Sequence, residues 1–300
     1  MRFMHPAQLT HGRAVLGMVA VTLMWSIAGV VTRHLEFARS FEITFWRSFF
    51  TMLSLIALLP FFQGREVFAS FRKGPATLWL SGVCWAVMFT AFMVALTLTS
   101  VANVLVTMSI GPLLTAVLAR VFLRHRIAAR TWAAIVVAGG GIGYMYVSQM
   151  EAEGLAGTGV ALLVPFAAAA NWTITQRSHA HGRDVDLVPA VLVGAALSSL
   201  VTLPLAMPLR ASAHDIALLA LLGAVQLAIP CALAVMCARV LKAPELALLA
   251  LLEVIFGILF AWLGAGEQPS RAVLTGGVLV IGALVANEWL GSRARQRLIA

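Results

Sequence analysis

The chain has 300 residues, of which 61% are hydrophobic and 11% charged, with a mean hydropathy of +0.95. Soluble domains carry roughly 25% charge and 45–50% apolar residues, so a soluble enzyme, a disordered chain and a nucleic-acid reader are excluded. The net charge of +9 suggests nucleic acid only until the basic residues are placed: they lie singly or in small groups between long apolar runs, the pattern of a membrane protein.

A bilayer core about 30 Å thick needs about 20 helical residues to cross it. The first run free of Asp, Glu, Lys and Arg is 14–32. It follows Arg2 and Arg13, shows no clear small-x-small cleavage site, and reads as a helix that stays in place. Thr22, Trp25, Ser26, Gly29 and Arg33 share one helical face. Such a face turns toward protein or a cavity rather than lipid; close packing through Ser26 and Gly29 and a cavity wall around Trp25 are the two readings. The second run, 48–64, is preceded by Arg47, over one turn into its helix.

The run 74–119 holds 46 residues, about 69 Å as helix and twice the bilayer. It must fold back once, and Thr97-Leu98-Thr99-Ser100 is the expected turn. Before the turn, Ser81, Trp85, Met88, Phe89 and Phe92 share a face, with Trp85 near the helix centre and away from the usual interfacial belt. After it come Asn103 and Thr107 on one face, then a bend at Gly111-Pro112. The run 131–150 follows. The run 154–176 carries Ala168, Asn171, Trp172 and Thr175 on one face, and 187–209 comes next. The run 216–238 has Gln226 near its middle and Pro230 four residues on, where the proline frees a backbone carbonyl that kinks the helix or faces a cavity. The stretch 246–266 is broken only by Glu253, and 272–287 is the last. The expectation is an all-α membrane protein of ten transmembrane helices.

Polar groups in a bilayer need partners. Asn103, Thr107, Asn171 and Gln226 serve either as interhelical hydrogen bonds or as substrate contacts. Trp25, Trp85 and Trp172 form either packing or an aromatic box for a flat, partly apolar substrate. Arg47 and Glu253 would each cost roughly 2.5–3.5 kcal/mol unpaired on insertion scales, so each is paired or faces water. Glu253 is a structural partner on one reading and a proton-coupling or ammonium-binding carboxylate on the other. Glu245 lies about 80° around the same helix and lines an inner vestibule. Cys84, Cys231 and Cys237 all sit in apolar runs without a CxxC pair, so no disulfide or metal site is expected and they read as small buried hydrophobes.

Ten is even, so both termini share a side. Sixteen of the 21 Lys and Arg residues fall on that side, and Arg33, Arg39, Arg47, Arg210 and Arg271 fall on the other. The positive-inside rule then puts both termini in the cytoplasm. A shift of 142 residues lays 95–123 over 237–265, matching the starts and stops of the apolar runs more than the residues themselves. The chain thus divides into residues 1–150 and 151–300, five helices each, the second inverted relative to the first. Inverted repeats place a binding site near the midplane where they meet.

The chain resembles the EamA branch of the drug/metabolite transporter superfamily over nearly all of its length. The resemblance rests on Ala95-Leu96-Thr97-Leu98-Thr99-Ser100 through Gly111-Pro112, and on Leu246 through Leu252-Glu253 to Gly264-Ala265-Gly266-Glu267, with Trp25 on helix 1 and Arg47 on helix 2. It departs at Arg124-His125, where that family often has Gly-Glu, and at Val254, where a proline often follows the Glu. The overall look is similar to YddG-type exporters of aromatic and other neutral amino acids. The resemblance implies a secondary transporter in the inner (plasma) membrane, working by alternating access through rocking of the two halves. Its partners would be a small-molecule substrate and the bilayer, with proton coupling open and no cofactor. Another metabolite or a cationic drug is the rival within the class. The rival outside it is an intramembrane transferase resting on His179 and Asp184, which share a short basic loop with no soluble domain to hold a donor.

Overall fold

A backbone in hydrocarbon finds no water for its N–H and C=O groups, and a helix satisfies them within one segment. In the computed structural model, helix accordingly falls on every predicted stretch, and no strand occurs among the described residues, which are 10–64, 67–68, 71, 74–123, 128–148, 152–180, 187–237, 240–241, 249–250 and 252–299.

The first half comprises α1 (His11–Thr32), α2 (Ser40–Gln63), α3 (Ala76–Leu98), α4 (Val101–Met108), α5 (Gly111–Leu123) and α6 (Ala129–Ser148). The second comprises α7 (Ala152–Ala180), α8 (Val188–Ala206), α9 (Ala213–Leu221), a π-helical segment (Leu222–Ala228) running into α10 (Ile229–Cys237), α11 (Leu252–Ala265) and α12 (Arg271–Ile299). Seven helical stretches among the described residues are long and apolar enough to cross a membrane: His11–Thr32, Ser40–Pro60, Ala76–Leu98, Val101–Leu118, Val188–Ala206, Ala213–Cys237 and Arg271–Gly291. Leu155–Asn171 and Leu252–Ala265 are apolar but shorter. With this length and apolarity the chain is a multi-pass membrane protein.

The expected reversal lies between α3 and α4. Leu98 ends one helix, Thr99 is extended, and the Ser100 hydroxyl accepts from Asn103 N to start the next. The bend expected at Gly111-Pro112 is a break just before it: Ser109 and Ile110 form a turn and α5 begins at Gly111.

Packing runs across the two halves. α3 lies along α7 and α8, α2 along α8 and the π segment, α1 along α11 and α10, and α6 along α12. Small residues permit the close approaches, as in other membrane bundles. A Cβ on Gly194 would strike Trp85, and one on Gly223 would strike the α2 backbone at Arg47 and Thr51.

One end of the bundle is laced by carboxylates. Asp215 accepts the backbone N–H groups of Glu36 at 2.8 Å, Phe37 at 2.9 Å and Ala38 at 2.9 Å while closing a capping box with Ser212. Glu42 accepts those of Arg210 and Ala211, both at 2.8 Å. At the same end Gly266, at φ +66°, terminates α11. Its N–H bonds Trp262 O, and that of Glu267 bonds Ala261 O. This left-handed cap suits glycine and delivers Glu267 to Arg33, whose Nε donates to Glu267 Oε2 at 2.7 Å.

Candidate functional site

The candidate site begins in the eighth predicted crossing. Pro230 has no N–H to give Gln226 O, four residues back, and its ring would crowd that carbonyl in an ordinary turn. The helix widens instead into the π segment Leu222–Ala228, whose following residue, Ile229, donates to Ala224 O five residues back. Such bulges recur at functional sites. Here the widened turn carries Gln226, 2% exposed.

Gln226 joins three helices. Its Nε2 donates to the Trp25 carbonyl at 3.2 Å. Its Oε1 accepts from Arg47 Nε at 3.0 Å and from Arg47 Nη2 at 2.9 Å. Arg47 is 1% exposed, its Cζ stands 5.6 Å from the Phe92 ring centroid, and its Nη1 has no hydrogen-bond partner among the described residues. Glu253 and Cys231 both lie near it. Glu253 is half-buried and does not close into an ion pair with Arg47. The Cys231 side chain lies beside Trp25, and the Ser26 hydroxyl lies 2.6 Å from Thr22 O and 3.2 Å from Glu253 O. The hydroxyl of Thr22, fully buried, donates back to Val19 O at 2.8 Å.

Apolar surface adjoins these groups. Half-buried Trp25 and Trp85 pack on one cluster with Phe89, Leu55, Val191 and Cys231, and the rings of Trp85 and Phe89 stand 5.4 Å apart. The face of α1 bearing Thr22, Ser26 and Gly29 is turned inward, with Gly29 against Val101.

Other predicted residues lie apart from this group. Asn103 sits in the first turn of α4, where its Nδ2 donates to Thr99 Oγ1 at 3.1 Å and Thr158 Oγ1 at 2.6 Å, tying α4 to α7 near the reversal. Asn171 accepts from Ser81 Oγ at 2.6 Å, tying α7 to α3 toward the other end. Thr107 is fully buried and its hydroxyl has no partner among the described residues. Glu245, Arg124, His125 and Asp184 fall outside the described residues, as do the side chains of Trp172, Thr175 and His179.

The sequence reading missed two groups. Cys231, read as a filler, stands beside Arg47 and Trp25; its place directly after Pro230 was the available signal. Ser198 Oγ stands 2.9 Å from both Ser48 Oγ and Thr90 Oγ1, a hydroxyl cluster beginning one residue after Arg47. The adjacent Ser198-Ser199 pair in an apolar run marked it.

No curated protein matches the sequence. Eighteen chains of known structure do match the fold; one, a crystal structure 17% identical in sequence, superposes with a TM-score of 0.60 over 95% of this chain and 99% of its own. At that identity the likeness is one of fold. Residues 12–147, nearly the first half of the chain, match the EamA-like transporter family and carry the chain's similarity to it.

Proposed function

We propose that the protein is a secondary transporter of the drug/metabolite type that exports small metabolites, with neutral and aromatic amino acids as its substrates. On this reading ten helices cross the inner membrane in two inverted halves, 1–150 and 151–300, with both termini cytoplasmic. Alternating access exposes a central site to each side in turn. Thr22, Trp25, Trp85, Phe89 and Gln226 line that site. Trp172, Asn171, Asn103 and Thr107 extend it, and Arg47, Glu245 and Glu253 supply its charges.

The observation that carries the reading is the buried polar group of Trp25, Arg47 and Gln226, drawn from α1, α2 and the π segment, in a chain whose first half is EamA-like. Ionisable side chains held this deep in a membrane protein mark substrate and ion pathways. The cross-half packing also bears on how access alternates. α1, α2 and α3 each lie against helices of the second half, so rocking of the two halves would work across these contacts. Buried Arg47 disfavours a cationic drug at the same point.

The test is flux of a labelled amino-acid panel into proteoliposomes containing only this protein, with and without a pH gradient. Movement of neutral and aromatic amino acids above empty vesicles is expected. Absence of flux for the whole panel would remove the substrate assignment.

A further inference from the structure

A buried arginine is commonly paired with a carboxylate, whose two oxygens accept two parallel N–H groups along one edge of the guanidinium. Arg47 is not so paired among the described residues. Its Nε and Nη2 converge on one neutral oxygen, Gln226 Oε1. Its Nη1, in a side chain 1% exposed, has no hydrogen-bond partner among the described residues. An unmade bond on a buried charged group is costly, more so than on a neutral one, and such groups call for an explanation.

The surroundings do not supply the missing acceptor. Phe92 stands 5.6 Å from the guanidinium carbon and contributes a ring. Glu253 lies near Arg47 without an ion-pair contact. Gln226 is itself fixed, because its amide nitrogen is engaged by the Trp25 carbonyl at 3.2 Å and its backbone lies in the π segment. The guanidinium therefore presents a fixed edge, Nη1 with the second N–H of Nη2, to which none of the described residues is matched.

We infer that this edge of Arg47 is the receptor for the carboxylate of the transported molecule, with Gln226 holding the guanidinium in position between loads. The matching ligand is a monocarboxylate with an apolar body. The carboxylate takes two parallel N–H···O bonds, and the body lies on the cluster that holds Trp25 and Trp85. A ligand that also carries an ammonium group meets the opposite charge of Glu253. This rests on the transporter reading above and gives it a chemical basis: α-amino acids bear a carboxylate, an ammonium and, in the aromatic members, a flat apolar side chain.

The experiment uses the full chain in proteoliposomes and needs no variant for its first arm. Efflux of labelled phenylalanine is measured against unlabelled phenylalanine, phenylalaninamide and 3-phenylpropionate. The amide keeps the ring and ammonium but lacks the carboxylate. It is expected to compete at least about tenfold more weakly than the acid, the scale of losing a charge-assisted hydrogen bond. Equal competition by amide and acid would overturn the inference while leaving amino-acid transport standing. In the second arm, 3-phenylpropionate is expected to raise the melting temperature of the detergent-solubilised protein, and the shift should vanish in a folded Arg47→Lys variant, which keeps the charge but not the fork. If no amino acid moves and this Arg47-dependent shift is present, the carboxylate seat stands and the substrate assignment falls. A shift unchanged in Arg47→Lys overturns the seat.

Discussion

Arg33 Nε and Glu267 Oε2, 234 residues apart in sequence, meet at 2.7 Å. Each also serves a helix end. The other nitrogens of Arg33 donate to Leu96 O at 2.7 Å and Thr99 O at 2.9 Å, at the C-terminus of α3. Glu267 Oε1 accepts Val101 N at 2.6 Å, at the N-terminus of α4. A cation at a helix C-terminus and an anion at a helix N-terminus both oppose the helix dipole, so the pair clamps the α3–α4 reversal from two sides.

This arrangement predicts an order of losses. As a partly exposed pair the bridge itself is worth about 0–1 kcal/mol, and the helix-end bonds add about 0.5–2 kcal/mol. Glu267→Gln keeps an acceptor for Val101 N, so it should lower thermal stability in detergent less than Glu267→Ala. Arg33→Ala should lower stability further in the Glu267→Gln background, because the carbonyls of Leu96 and Thr99 lose their donor. Equal melting temperatures for all of these variants would show the clamp to be idle.

Topology follows from the 16-to-5 division of Lys and Arg and the count of ten crossings. Reporters fused after Arg295 should read cytoplasmic, and reporters inserted between Glu151 and Glu153 should read external. An external C-terminus would break the parity, and with it the inverted relation of the halves.

The aromatic residues make a size-dependent prediction. Trp25→Ala and Trp85→Ala should each weaken transport of aromatic substrates more than of alanine-sized ones, since lost ring contact scales with the apolar area of the ligand. Trp172→Ala belongs to the same series. An equal loss across substrate sizes, measured as competition against one labelled substrate, assigns these rings to scaffolding.

Glu253 bears on coupling. Its backbone carbonyl already anchors Ser26, at 3.2 Å, so α1 and α11 keep that contact when the side chain changes. Glu253→Gln copies the shape but cannot carry a proton. If the carboxylate couples flux to the pH gradient, the variant should lose pH-driven accumulation and retain exchange of substrate for substrate at reduced affinity. Undiminished pH-driven flux in the folded variant would remove Glu253 from the coupling path.

The helices were legible because a backbone in hydrocarbon must satisfy its own polar groups, which favours helix on each apolar run. The α3–α4 reversal was legible because Ser100 and Thr99 are small hydroxyl residues, good at starting and ending helices. The partners were not legible. Arg47 and Gln226 are 179 residues apart, and nothing local to either names the other. Pro230 announced a disturbance, but whether a helix answers a proline by kinking or by widening depends on what packs beside it, here α2 against Gly223. Asn103 and Asn171 looked alike in sequence, as single amides on apolar helices. One lies by the reversal and bonds Thr158; the other accepts from Ser81. Helical periodicity gives a residue's face but not its neighbour.

Asp215 grips the link between α1 and α2 wholly by main-chain nitrogen, at Glu36, Phe37 and Ala38. What this grip demands of those three positions is a hydrogen on the backbone, which every amino acid except proline supplies. The link is therefore free to change its surface, in charge, bulk or polarity, while its path stays the same. The burden of fidelity for three positions has been moved onto a single carboxylate in another helix.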